Sequence, residues 1–151
     1  MTTMIPLFGG RASLHSPFQV EELDGGEKQD FFGRGEVPQH AYGLPGPDGK
    51  ALIWSVQHSE MSAQPEEMAA ARATYRSDLE DFFEGAEWLS DSSLDHGSRT
   101  WELLEFRTSA LHRWVYLTSW EGRILSCEFN SFGLSDGASA VRRLFEALIL
   151  H

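Results

Sequence analysis

The residues of this 151-residue chain whose types suit chemistry are six histidines, one cysteine and several closely spaced carboxylates. His15, His40, His58, His96, His112 and His151 are scattered, and only His58-x-Glu60 and Asp95-His96 set an acid tight against an imidazole. A metal site needs three or four converging ligands, so either pair would require distant help, and neither has the spacing of a zinc-enzyme helix motif. Cys127 would become a nucleophile only with an activating imidazole beside it. Ser93 lies in Asp91-Ser92-Ser93-Leu94-Asp95-His96, near an acid and a histidine. Consecutive residues on a loop cannot fold back on one another as a triad, and the run reads as a capped, solvated turn. Of the carboxylate pairs, Glu21-Glu22 and Glu66-Glu67 read as exposed charge, and nothing in the sequence reports a cleft for Glu102 and Glu105 to flank. There is no Gly-x-Ser-x-Gly elbow, and Gly9-Gly10 and Gly25-Gly26 are too short to cradle a phosphate. The expectation is therefore no catalytic residue, no metal and no cofactor.

The elements that would position these groups follow from periodicity. Residues 1–16 lack a clear period and read as an N-terminal arm or a weak first strand; 17–151 read as one domain. Phe18–Leu23 begins to alternate, Asp24-Gly25-Gly26 signals a turn, and Gln29–Arg34 would return as the paired strand. The proline- and glycine-punctuated run Leu44–Gly49 predicts a loop, and Ala51–Val56 a buried strand continuing towards His58. A helix follows, capped by Ser62 or Gln64, with Pro65 in its first turn and Glu66 and Glu67 at its positive end. Met68, Ala71, Tyr75, Leu79 and Phe82 recur at spacings of three and four and predict its apolar face, with Gly85 ending it.

After a short strand near Glu87–Ser90, three segments rich in β-branched and aromatic residues predict strands: Thr100–Thr108, Leu111–Ser119 and Arg123–Asn130. Glu121-Gly122 is a two-residue hairpin signal. It would set Trp120 opposite Arg123, Tyr116 opposite Cys127 and Trp114 opposite Phe129. One face would then carry Trp114, Tyr116, Trp120, Leu125, Cys127 and Phe129, and the other Leu111, Val115, Leu117 and Ile124. At Ser109 a three-residue loop, opposing Glu105 with Arg113, is preferred over a two-residue one because it pairs opposite charges and puts Leu104 and Phe106 beside the Trp114 face. A final helix, capped by Ser135 or Asp136, carries the stripe Val141, Leu144, Phe145 and Leu148.

The fold class is thus α+β: an antiparallel sheet with a mid-chain helix and a C-terminal helix, in an α/β/α sandwich-like arrangement. That order, with the run from Trp101 through the Glu121-Gly122 hairpin to the last helix, resembles the PsbP/DcrB-like superfamily over roughly Phe18 to Leu150. Relatives there include photosystem accessory proteins, a Ran-binding nuclear import factor and small chaperones of type VI secretion effectors. The resemblance implies a binding or assembly role.

Charge narrows the partners. The chain holds 23 acidic and 12 basic residues, a net −11, with Lys28 and Lys50 its only lysines. No basic stripe is present to neutralise phosphates, so nucleic acid and an anionic membrane surface are disfavoured. No run reaches the roughly 18–20 apolar residues of a span, no signal-peptide pattern opens the chain, and one cysteine allows no internal disulfide, so a cytoplasmic home is expected. The leading expectation is a non-catalytic, chaperone- or adaptor-like module that binds another protein, either cationic or presenting an apolar segment; a homodimer is compatible. Trp120, Arg123, Trp101, Tyr116 and Trp114 are its candidate contact residues, with Trp120, beside the turn, expected to be partly exposed. A second reading is an immunity-type inhibitor that neutralises a basic toxin through Asp78, Glu80, Asp81, Glu84 and Glu87. A third is a small-molecule-binding protein or enzyme dependent on His58 or His96.

Overall fold

The computed structural model describes residues 3–32, 38–46, 49–133 and 136–151. Its first half contains strands β1 (Thr3–Leu7), β2 (Ala12–Ser16) and β3 (Glu21–Glu22), helix α1 (Gly25–Phe32), and strands β4 (His40–Gly46) and β5 (Gly49–Ser62). Helix α2 (Met68–Phe82) follows, then β6 (Glu87–His96), β7 (Arg99–Arg107), β8 (His112–Trp120), β9 (Arg123–Ser131), α3 (Gly137–Glu146) and β10 (Leu148–Leu150). The chain divides into two compact units: one comprises Met1–Val56 and Ser131–His151, the other Gln57–Asn130.

In the first unit, β1 and β2 form an antiparallel hairpin and β10 pairs with the free side of β2. The segment expected as an arm or weak strand is therefore two paired strands. Its short period was hidden because Ile5, Leu7, Ala12, Ser13 and Leu14 are all buried, which leaves little polar alternation to see. Phe8, Gly9 and Gly10 turn the hairpin with positive φ, and Phe8, at +50°, is the strained member. His40 holds that turn: its Nε2 accepts the Phe8 backbone N–H at 3.0 Å, and its ring meets the Phe8 ring edge-on at 4.7 Å. Helix α3 buries Ala140, Val141, Leu144 and Phe145, and it packs on β2.

Two expectations fail in this unit. The run Gln29–Arg34 is not a returning strand, because α1 occupies Gly25–Phe32; Gly33 and Arg34 lie outside the described residues. The reason is local: the Asp24 carboxylate accepts the Glu27 N–H at 2.8 Å while the Glu27 carboxylate accepts the Asp24 N–H at 3.2 Å. This reciprocal capping box starts a helix where Gly25-Gly26 alone suggested a turn. Likewise β4 runs through Leu44 and Pro45 to Gly46, with a register shift between Leu44 and Pro45 that lets proline sit in a strand. Pro47 and Asp48 of the expected loop lie outside the described residues. The α1 residues Phe31 and Phe32 pack on Leu23, Ala41 and Ile53, and Tyr42 stacks on Trp54 at 4.6 Å.

In the second unit the strand order is β5-β9-β8-β7-β6. Helix α2 begins as expected: Gln64 and Glu67 form a capping box around a 3₁₀ turn at Pro65–Glu67. Met68, Ala71, Tyr75 and Leu79 face Leu104, Val115, Leu117 and Ile124 of the sheet. Phe82 does not join them and is 81% exposed. The helix ends there, and the non-helical backbone at Phe83 turns the next ring inward, 5.1 Å from Phe106.

The β7–β8 register also differs by one residue from the preferred one. Glu105 lies opposite Trp114 and Phe106 opposite Arg113. Thr108 closes a four-residue turn, its N–H donating to the Leu111 carbonyl at 2.8 Å and its Oγ1 accepting the Ala110 and Leu111 N–H groups. Side-chain bonding at Thr108 outweighed the Glu105–Arg113 pairing, and Glu105 instead meets His112 at 2.8 Å. The slip moves Leu104 and Phe106 to the α2 face and Trp101 and Leu103 to the Trp114 face. Nor does the chain end in helix: Leu148, expected on the α3 stripe, is buried in β10.

Between α2 and the sheet, Arg72 bridges Glu102 at 2.9 Å and Asp91 at 2.8 Å, and Arg76 bridges Asp91 and Glu80 at 2.7 and 2.8 Å. Glu102 is buried and also accepts the Ser93 hydroxyl. Removing Arg72 would leave a buried carboxylate without its cation. Arg72→Met should cost about 2–3 kcal/mol, and adding Glu102→Leu should recover most of it; denaturant midpoints of both variants check this, and equal losses in single and double variants would refute it.

His40 supplies a pH dependence. Burial, the largest cause, pulls its pKa below the ordinary 6.5, Lys28 adds to the fall and Glu22 opposes it. The folded state thus binds the proton less well than the unfolded one. Stability should be full above about pH 6.5 and decline as pH falls through the lowered folded value. Comparing urea midpoints at pH 7.5 and 5.5, His40→Gln, which keeps an acceptor for Phe8 N–H but does not titrate, should flatten that decline.

Candidate functional site

The second unit contains most of the groups with chemical potential, and its sheet uses nearly all of them internally. Buried His58 projects from β5. Its Nε2 lies 2.7 Å from the Trp120 carbonyl, which can only accept, and Arg123 Nη2, which can only donate, lies 3.0 Å from its Nδ1. The partners therefore assign a neutral imidazole with its proton on Nε2. Arg123 also approaches Glu60 at 3.7 Å, so the His58-x-Glu60 pair is separated by a guanidinium. Asp95 and His96 are successive residues of β6 and point to opposite faces. Ser93 is also in β6, not on a loop, and its hydroxyl donates to Glu102. Glu102 and Glu105 sit three apart on β7, again on opposite faces, with Glu105 bound by Ser90 and His112. Cys127 is fully buried, and desolvation, reinforced by Glu128, pushes its thiol far above the ordinary range. That keeps it protonated and a poor nucleophile. Among the described residues no group of three or more His, Cys, Asp and Glu could hold a metal ion.

The aromatic face singled out as a contact surface is interior. Trp101, Trp114, Tyr116 and Trp120 are 1%, 4%, 6% and 3% exposed, so the expected exposure of Trp120 is corrected. Its ring lies 4.7 Å from that of His58, and Tyr116 meets Phe129 edge-on at 5.9 Å. The hairpin signal placed Trp114, Tyr116, Trp120 and Phe129 on one face, Trp101 joined them only through the one-residue shift of β7, and nothing in the sequence reported what would lie over them. Of the five candidates only Arg123 keeps a sizeable part of its side chain, 33%, in solvent.

What this unit does present lies at the far end of α2. Phe82, the most exposed large apolar residue described, is flanked by Asp78, Asp81 and Glu84. Of the acidic cluster marked in the sequence, Glu80 is bound by Arg76 and Glu87 by Arg107. Asp78, Asp81 and Glu84 make no ion pair among the described residues. All three crowd the helix C-terminus, the negative end of its dipole, where carboxylates are unfavourable. The unit as a whole holds fourteen acidic and six basic residues between Gln57 and Asn130.

With this geometry in place, known structures supply the frame. The solution structure of cyanobacterial PsbP (CyanoP) from Synechocystis sp. PCC 6803 matches over 99% of this chain and 92% of its own, with a TM-score of 0.71 at 12% identity. The fold is PsbP-like. LpqN of Mycobacterium tuberculosis, a protein involved in cell envelope biogenesis, matches over 99% and 90% with a TM-score of 0.56 at 10% identity. A Bacteroides thetaiotaomicron protein matches at 0.55 and 12% identity, this chain spanning 48% of its length. No family model and no curated protein matches the sequence. At these identities the PsbP-like frame carries no side chain across, so site chemistry rests on the residues described above.

The buried Trp120 gives a direct check on this assignment of inner and outer surfaces. Trp120→Ala should destabilise the PsbP-like fold by about 3–5 kcal/mol, as truncation of a packed aromatic does. An unchanged denaturation midpoint would return Trp120 to the surface.

Proposed function

We infer that this chain is a non-catalytic binding module that docks a cationic segment of a partner protein on the C-terminal end of α2. The observation that carries the reading is Phe82, 81% exposed amid three carboxylates that no described residue neutralises. A basic, partly apolar segment would desolvate the ring and relieve the repulsion at the helix end together. Aromatic anchors of this kind concentrate binding energy, while the surrounding charge sets partner choice and association rate. The internal use of His58, Ser93, Cys127 and Glu102 supports binding over turnover, and the acidic balance of the second unit supports a basic partner.

An immunity-type inhibitor of a basic toxin is the special case in which the docked partner is harmful. It draws on the same surface and differs in its consequence: co-expression would rescue growth.

The test compares affinity capture from the native source by the wild type, by Phe82→Ser and by Asp78→Asn/Asp81→Asn/Glu84→Gln. All substitutions are at exposed positions and should leave the thermal midpoint within a few degrees of wild type. A basic protein retained by the wild type should be lost from both variants, and its affinity should fall about tenfold between 50 and 300 mM salt. Capture that is unchanged by the variants and insensitive to salt would overturn the proposal.

A further inference from the structure

A groove in the first unit carries a different kind of recognition. It has a volume of about 520 Å³, within the range of small-molecule sites, and is lined by Phe18, Leu44 and Pro45 together with Ala140 and Arg143 of α3. Phe18 is fixed from beneath. The Ser16 hydroxyl, fully buried, donates to the Phe18 carbonyl at 2.6 Å and accepts the Phe18 N–H at 3.1 Å. The Arg143 guanidinium lies over the Phe18 ring, its carbon 4.8 Å from the ring centre. The Arg143 side chain makes no hydrogen bond or ion pair among the described residues, so its N–H donors remain open to a ligand. A guanidinium held over an aromatic ring keeps a planar fork of donors that matches a carboxylate in bidentate fashion.

The far end of the groove limits the ligand's charge. Asp136 lines it, seven residues before Arg143 and about 10 Å away along the helix at 1.5 Å per residue. One cation opposed by one anion favours a singly charged ligand over a dianion. We propose that this groove binds a small monocarboxylate with an aromatic or branched apolar body, its carboxylate on Arg143 and its body against Phe18, Leu44 and Pro45. This site belongs to the first unit and does not depend on the protein-docking surface of the second.

The experiment is a titration of the ¹⁵N-labelled full chain with 4-phenylbutyrate, followed by amide shifts, alongside 4-phenylbutanol and phenyl phosphate. Saturable shifts should cluster at Phe18, Leu44, Ala140 and Arg143 with 4-phenylbutyrate, and the alcohol and the phosphate should bind more weakly. Arg143→Gln, at an exposed position, should weaken binding about tenfold or more, whereas Arg142→Gln, at the adjacent residue outside the groove's lining, should not. Lack of saturation, shifts centred elsewhere, equal binding of the alcohol, or indifference to Arg143→Gln would each overturn the proposal. So would a peptide ending in phenylalanine that binds far more tightly than the free acid, because the groove would then read protein C-termini.

Discussion

The tightest constraint in the second unit is a turn of two residues. Glu121 and Gly122 both adopt positive φ, 52° and 77°, the geometry that lets a two-residue loop join strands of natural twist. The turn does more than connect β8 to β9. Its Gly122 carbonyl accepts the Ala63 N–H at 3.0 Å, while Ser119 just before it donates to the Ala63 carbonyl at 2.7 Å. Ala63 is where β5 gives way to the capping turn of α2, so the hairpin tip sets where that helix starts. The Trp120 carbonyl, next to the same turn, orients His58. A slip of one residue here would reverse the faces of β8 and β9 and release the helix and the imidazole together.

Around that anchor, charge is sorted by position more than by amount. The arginines of α2 that point to the sheet, Arg72 and Arg76, are consumed by Asp91, Glu102 and Glu80. Asp78, Asp81 and Glu84 at the end of the helix have no such partner among the described residues, so uncompensated acid collects there. The first unit shows the reverse pattern, an arginine left uncommitted over an aromatic ring in a groove that Asp136 also lines. A net charge alone distinguishes neither arrangement.

How much of this could be read from the sequence depended on whether the signal was local. The α2 cap, the Met68–Leu79 stripe and the Glu121-Gly122 hairpin are short-range patterns, and each appears in the fold as read. The α1 helix was equally local, since Asp24 and Glu27 stand at capping-box spacing, but the paired glycines between them drew attention to a turn. The β7–β8 register depended on a threonine hydroxyl bonding its own turn, a choice that charge pairing does not report. Burial of Trp120 and exposure of Phe82 were beyond reach for a different reason. Both depend on where an element stops or what covers it, and side-chain type alone is silent on either. The groove of the first unit is the extreme case, because Phe18 and Arg143 lie 125 positions apart in the chain.

The division of the chain has a consequence for how it is made. The second unit is one uninterrupted stretch, whereas the first is split into Met1–Val56 and Ser131–His151. During synthesis the whole of the uninterrupted stretch is made before Ser131–His151, so the flanking unit still waits for its closing segment. Until Leu148–Leu150 is made, β2 keeps one side unpaired. An open strand edge and uncovered Leu14 are what holding chaperones recognise and what neighbouring nascent chains can join. The β1–β2 hairpin, made before the whole of the second unit, thus waits longest for its third strand, which makes it the stretch of these residues most open to misassembly.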